Sequence, residues 1–383
     1  MRKGHKMSSQ TAIPAMLMRG GSSKGLFFAA SDLPADTASR DAVLLAAMGS
    51  PDPRQIDGVG GAHPLSSKVG IVSPGNTPGV DLQFLFAQLQ PNKDTVDTQP
   101  NCGNMLAAAV PFALETGMVK AQGDETTLRV LTVNTGMLSD ITVQTPGGQI
   151  AYDGDARIDG VPGTAAPVRI RFLDTEGSVA GSLLPTGRAK DVFDIEGFGK
   201  LEATCIDNGM PMVLLRAEDV QRTAYESVAD MNADTELKSI LEKLRLQAAV
   251  AMGLGDVSQK NYPKMCLLNR PLHGGAVHTR CFIPHVCHDA IGVLAAVTVA
   301  TACVMDDSVA AGLAEAPPSG NWSVEHPSGE FSVALEVDAA GKVAGAALIR
   351  TARNLMRGEV LIPAAVWPKF SEKTYDCHRV AAP

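Results

Sequence analysis

The chain has 383 residues, 45% hydrophobic and only 4% aromatic, which is length enough for two buried cores. A net charge of -8 and a pI near 5.5 give no basic face for nucleic acid or an acidic membrane, though a local Arg/Lys pocket can still hold a small anion. Seven scattered cysteines (102, 205, 266, 281, 287, 303, 377), with no Cys-x-x-Cys pair, point to a reduced, cytoplasmic protein.

Residues 1–10 are basic, lack a following apolar signal segment, and read as a disordered extension. Strands are predicted at 12–18 and 26–29, joined by the turn Arg19-Gly20-Gly21-Ser22-Ser23-Lys24-Gly25. Gly21 to Gly25 fits the nucleophile-elbow pattern, but an elbow must lead into a helix and a β-like run follows. The turn is either a solvated hairpin or a loop whose backbone, Arg19, Ser22 and Ser23 approach a small anion. After a helix at 40–48, Ser66-Ser67-Lys68 repeats the Ser-Ser-Lys theme and leads into an apolar strand at 70–73. An amine entering such a strand is either a solvated edge residue or a desolvated candidate base.

A strand at 81–86 precedes Asn101-Cys102-Gly103-Asn104, which opens an apolar helix at 104–114. Cys102 then sits where unpaired amides favour anions and thiolates, unless it is a small buried packing residue. Strands follow at 127–135, 139–145, 168–172, 200–205, 212–216, 265–268, 277–283 and 331–337, with helices at 234–252 and 290–304. The apolar run 290–305 is shorter than the roughly 20 residues that span a bilayer. His278, Cys281, His285, Cys287 and His288 match no standard zinc spacing and read instead as lining the second helix mouth, with Arg280 available for a carboxylate.

The expected class is α+β with substantial β. The helices at 104–114 and 290–304 are apolar all round, so each must be surrounded by protein, inside a curled sheet. This suggests a duplication: domains at 11–182 and 183–383 divided near the Gly/Pro-rich 177–187, with the tail packing back on the first. Facing helix mouths would make the interdomain cleft an anion site.

Residues 16–25, Gly49 to Gly61, Ser66-Ser67-Lys68-Val69, Asn101-Cys102-Gly103-Asn104, Arg350-Thr351-Ala352-Arg353 and Gly358-Glu359-Val360 together resemble the 2-methylaconitate isomerase and 4-oxalomesaconate tautomerase family along nearly the whole chain. The resemblance implies a diaminopimelate-epimerase-like fold of two pseudo-symmetric domains, and proton transfer on unsaturated polycarboxylates without cofactor or metal. It makes Lys68 and Cys102 catalytic. Arg19, Ser22, Ser23, Ser66, Ser67, Gly103, Asn104, Arg280 and His288 are the expected substrate contacts. Epimerases of this fold carry a second cysteine at the other helix, and Val286-Cys287-His288-Asp289 matches that pattern poorly, which favours Lys68 as principal base. The expected substrate is a small anionic polycarboxylate, first 4-oxalomesaconate and second 2-methylaconitate, and a homodimer is left open. A Ser23 hydrolase and a non-catalytic polycarboxylate binder are the readings from other classes.

Overall fold

The computed structural model describes residues 9–317, 321–337 and 343–368. Residues 1–8 of the expected extension lie outside that set, as do 369–383 with Cys377, while Gln10 already pairs in the first strand. The first half runs β1 (Gln10–Gly20), β2 (Ser23–Ala29), α1 (Thr37–Met48), β3 (Lys68–Pro74), β4 (Leu82–Leu89), β5 (Val96–Asp97), α2 (Gly103–Leu106), α3 (Ala109–Glu115), β6 (Glu125–Thr132), β7 (Met137–Gln144) and β8 (Pro167–Phe172). The second runs β9 (Asp191–Ile195), β10 (Gly199–Asp207), β11 (Pro211–Arg216), α4 (Val228–Ala233), α5 (Thr235–Ala251), β12 (Lys264–Asn269), β13 (Val277–Phe282), α6 (Val293–Cys303), β14 (Asn321–His326), β15 (Gly329–Val337) and β16 (Val343–Pro363).

One pairing order generates both halves. β1–β2 is antiparallel, β2–β3 parallel, β3–β4 antiparallel and β4–β6 parallel, and β7 and β8 then add antiparallel. The series β10–β11–β12–β13–β14–β15–β16 repeats those senses in the same order. β16 also pairs with β8 and β1, so it closes the first sheet into a ring and joins the second sheet to it. The fold is α+β and diaminopimelate-epimerase-like, with two curled sheets each built around an apolar helix.

Strand alternation decides what each sheet face touches. Phe27, Val72 and Phe86 pack inward with α2 and α3, while Leu26, Val69 and Ile71 pack outward with α1. In the second sheet Cys266 and Leu268 turn inward with α6, and Met265 and Leu267 outward with α5. Each fully buried Leu or Phe contributes about 1.5–3 kcal/mol, so a charged side chain on an inner face displaces that gain and must be explained. The outer helices start on side-chain caps: Asp36 accepts from Ser39 N and Asp234 from Leu237 N.

The expected single helix at 104–114 is two pieces. Pro111 has no N–H for the Ala107 carbonyl, and Ala108 N turns back to Met105 O at 3.0 Å, so the chain tightens and restarts. α2 is therefore one turn long, which limits its dipole and leaves local amides as its main attraction for anions.

Candidate active site

Lys68 is the first residue of β3 and lies on its inner face, only 7% exposed. Its Nζ donates to Gln88 Oε1 at 2.9 Å and to Cys102 Sγ at 3.7 Å, and stands 5.1 Å from the Phe86 ring centroid. Among the described residues no carboxylate pairs with it. Gln88 Nε2 donates to the carbonyls of Pro64, Ser67 and Leu89, which fixes its Oε1 toward the lysine. Gln88 was not expected from the sequence, although parity marks it: it follows Phe84 and Phe86 on the inner face of β4, a polar group at a core position.

Cys102 caps α2 with extended backbone, and its own amide donates to Asn101 Oδ1 at 2.7 Å. Gly103 and Asn104 follow as the first helical residues, and Asn104 Nδ2 donates to Ser22 Oγ at 3.1 Å. Gly20 and Gly21 dock this turn: a methyl at Gly20 would lie 2.3 Å from Asn104 O, and Gly21 has a φ of 52°. Ser23 is buried on the inner face of β2, and among the described residues its hydroxyl has no partner and no histidine to activate it. A strand follows it, so the nucleophile-elbow reading lacks both helix and base.

Arg350 joins this group from β16, between the inward Leu348 and Ala352. It is 6% exposed, its guanidinium lies 4.0 Å from the Phe331 ring centroid, and its Nε has no partner among the described residues. Burial pushes it down to about 10, against an opposing attraction from Cys102. The sequence offered Arg350 only as part of a family motif; its inward parity emerges once β16 is recognised as a strand.

The same alternation takes two expected contacts away from the site. Arg19 stands between the inward Met18 and Gly20 and points to the other face of β1. Its Nη1 donates to Gly21 O, Thr351 O and Thr351 Oγ1 at 2.9, 3.1 and 2.8 Å, tying the turn to β16. Arg19→Ala is expected to cost about 1–3 kcal/mol of stability, the range for lost charged hydrogen bonds, and to leave tricarboxylate affinity unchanged. Calorimetry showing a tenfold affinity loss at unchanged melting temperature would restore the guanidinium to the site. Arg280 likewise faces outward on β13: its Nε and Nη2 donate to Glu226 O, and its Nη1 to Thr279 O and His278 Nε2. His278 in turn bonds Glu325, whose carboxyl is held at about 2, against the upward push of burial, by Leu272 N, His278, Gly275 N and His273 N. This is a structural strut with every guanidinium nitrogen engaged.

Ser67 is fully buried and donates to Gln55 Oε1 and His63 O, and Ser66 Oγ bonds His63 O, so both hydroxyls shape the loop that delivers Lys68. His288 is exposed, with its Nδ1 accepting from Ala290 N. Cys287 is no counterpart to Cys102. It is 2% exposed, packs with the α5 core, and burial pushes its thiol up to about 11. The cap of α6 is Gly292. The two helix mouths do meet, because a methyl on Gly103 would lie 3.1 Å from Val293 Cγ2. Among the described residues no set of three His, Cys, Asp or Glu could hold a metal ion, and no helix is long and apolar enough to cross a membrane.

The sequence model of the PrpF protein family matches residues 10–363. The chain belongs to the PrpF family. Within it, the (4E)-oxalomesaconate Delta-isomerase of Novosphingobium sp. (strain KA1) is 54% identical over 351 residues, covering 91% of this chain and 97% of that protein. The 4-oxalomesaconate tautomerase of Pseudomonas putida is 52% identical over 360 residues, covering 94% and 98%. Among solved structures, a methylitaconate-delta-isomerase superposes with a TM-score of 0.83 at 33% identity, covering 96% of this chain and 100% of that one. This PrpF-family chain is an isomerase with the epimerase-like fold.

Proposed function

We propose that the chain isomerises 4-oxalomesaconate, shifting its double bond by proton transfer at Lys68 with no cofactor. The observation that carries this reading is the Lys68–Cys102 contact at 3.7 Å on a buried inner face, with no carboxylate among the described residues to fix the lysine as a structural ion pair. The names of the two relatives above 50% identity support the choice of substrate.

A carbon acid next to a conjugated carbonyl gives up its proton only if the resulting dienolate is stabilised. Lys68 Nζ takes that proton, breaking C–H and forming N–H, while the electron pair spreads into the dienolate. The open amides of Gly103 and Asn104 and the Arg350 guanidinium supply the stabilising donors. A proton then returns to the far allylic carbon from Lys68, or from Cys102 with Lys68 passing its proton on to the thiolate across their 3.7 Å contact, so protons balance over the cycle and only the double bond has moved. We read residues 11–182 and 183–383 as the two domains, supported by the repeated strand order, and place the protein in the cytoplasm, supported by six free cysteines among the described residues.

The test is the ultraviolet spectrum of 4-oxalomesaconate with and without the protein, run beside 2-methylaconitate. Loss of the starting chromophore with the first and little turnover of the second is expected. Faster turnover of 2-methylaconitate would reassign the substrate. Arg350→Met should weaken tricarboxylate binding by roughly tenfold or more, the effect of losing a desolvated charge-assisted bond, without lowering the melting temperature. Unchanged binding in that variant would leave Arg350 a packing residue.

A further inference from the structure

The repeated strand order gives the Lys68 site a twin. Lys68 opens β3, the third strand of its series, and Lys264 opens β12, the third strand of the other. Lys68 shares the inner face of its sheet with Val72, and Lys264 shares the inner face of the second with Cys266 and Leu268. Cys102 caps α2 and Gly292 caps α6. A methyl on Gly292 would lie 3.5 Å from Lys264 Nζ, so this ammonium stands at the mouth of α6 as Lys68 stands at the mouth of α2. Because Gly103 and Val293 bring the two mouths together, both amines border one cleft.

Two differences give the twins different work. Lys68 is held by Gln88 and Cys102, whereas Lys264 has no hydrogen-bond or carboxylate partner among the described residues. At the α6 cap a glycine replaces the thiol, so Lys264 has no cap thiol beside it, and its electrostatic neighbour is the inward thiol of Cys281 on β13. Burial pushes the Lys264 ammonium down, against an opposing attraction from Cys281. The 11-residue α6 begins without a side-chain cap, so its first amides are open toward the same point.

We propose that Lys264 binds a substrate carboxylate at the α6 mouth, across the cleft from Lys68, and so sets which carbon faces the Lys68–Cys102 pair. This rests on the isomerase reading above. The three carboxylates of the proposed substrate then meet two separate cations, the buried Arg350 and the half-buried Lys264, with Lys68 left for the proton. Lys264 is a binding and positioning residue, distinct from the base.

Calorimetry with tricarballylate and glutarate, on wild type, Lys264→Met and Lys264→Arg, tests this beside steady-state turnover of 4-oxalomesaconate. Lys264→Met should bind tricarballylate roughly tenfold or more weakly, the effect of losing a desolvated charge pair. Its preference for tricarballylate over glutarate should shrink, and KM should rise by more than kcat falls. Lys264→Arg, which keeps the charge, should recover most of the affinity. The melting temperature of Lys264→Met should hold or rise, because an uncompensated ammonium has been removed. A lower melting temperature with an unchanged tricarballylate-to-glutarate ratio would make Lys264 structural. Unchanged affinity and KM in an otherwise active protein overturn this inference alone. A wild type that neither binds tricarballylate nor turns over 4-oxalomesaconate overturns the isomerase reading together with it.

Discussion

Lys68→Met is expected to leave a folded protein whose isomerisation rate falls by about 10²–10⁴-fold, the span that a positioned general base contributes. The direction for stability follows from what surrounds the amine. Its favourable contacts are one hydrogen bond to Gln88, one to the Cys102 sulfur and the face of Phe86. Against them stands the burial of a polar amine that no carboxylate among the described residues compensates. Methionine keeps a long apolar stem beside Phe86 and removes that cost, so the melting temperature should hold or rise. Gln88 keeps three carbonyl acceptors for its amide nitrogen and loses only the acceptor role of Oε1. Turnover within threefold of wild type would remove Lys68 from the mechanism, and a steep fall in melting temperature would make it a structural residue.

Cys102 separates location from necessity. It is half-buried at the mouth of α2, whereas Cys205, Cys266, Cys281 and Cys287 are at most 2% exposed. Burial also pushes Cys205 and Cys303 up to about 12 and Cys287 to about 11, which slows their alkylation. Iodoacetamide should therefore modify Cys102 before the other five described thiols, and tricarballylate should protect it by occupying the adjoining amides. Cys102→Ala should lose about 10²-fold or more in turnover if the thiol returns the proton at the far carbon, the lower end of acid–base contributions. Cys102→Ser retains a small proton donor 3.7 Å from the lysine in the native arrangement, and should keep binding with partial turnover. Full activity in Cys102→Ala would assign both transfers to Lys68. Slow labelling without protection would instead make the thiol a packing residue.

The centre of the candidate site is legible because its residue types conflict with their surroundings. A lysine heading an apolar strand and a thiol before Gly103-Asn104 are expensive choices unless chemistry uses them, and the structure brings the two into contact. Two apolar helices without a polar face announced the two curled sheets, since only a surrounding sheet could bury them. What misled was parity. Arg19 and Arg280 are the right residue type for a carboxylate, yet Met18 and Cys281 beside them are the inward residues, and alternation turns both arginines to the outer faces. β16 was missed because its inner residues change partners along its length, from β8 and β15 to β1, and no single amphipathic pattern spans 21 residues. With it went the inward position of Arg350. The break in the first central helix was written at Pro111, but the apolar run around it masked the missing hydrogen bond. Polar residues point to a second helix mouth at Cys287-His288, while the cap of α6 is Gly292, five residues later than Cys287.

Proton NMR of 4-oxalomesaconate in deuterium oxide, with wild type and with Lys68→Met, tests proton transfer at Lys68 most directly. Wild type should move the double bond and introduce deuterium at the allylic carbons on the same timescale, because the proton that leaves exchanges with solvent on the amine. Lys68→Met should do neither, although it still binds tricarballylate. Double-bond migration at a wild-type rate in the variant, or exchange that persists without Lys68, would contradict the assignment of the base.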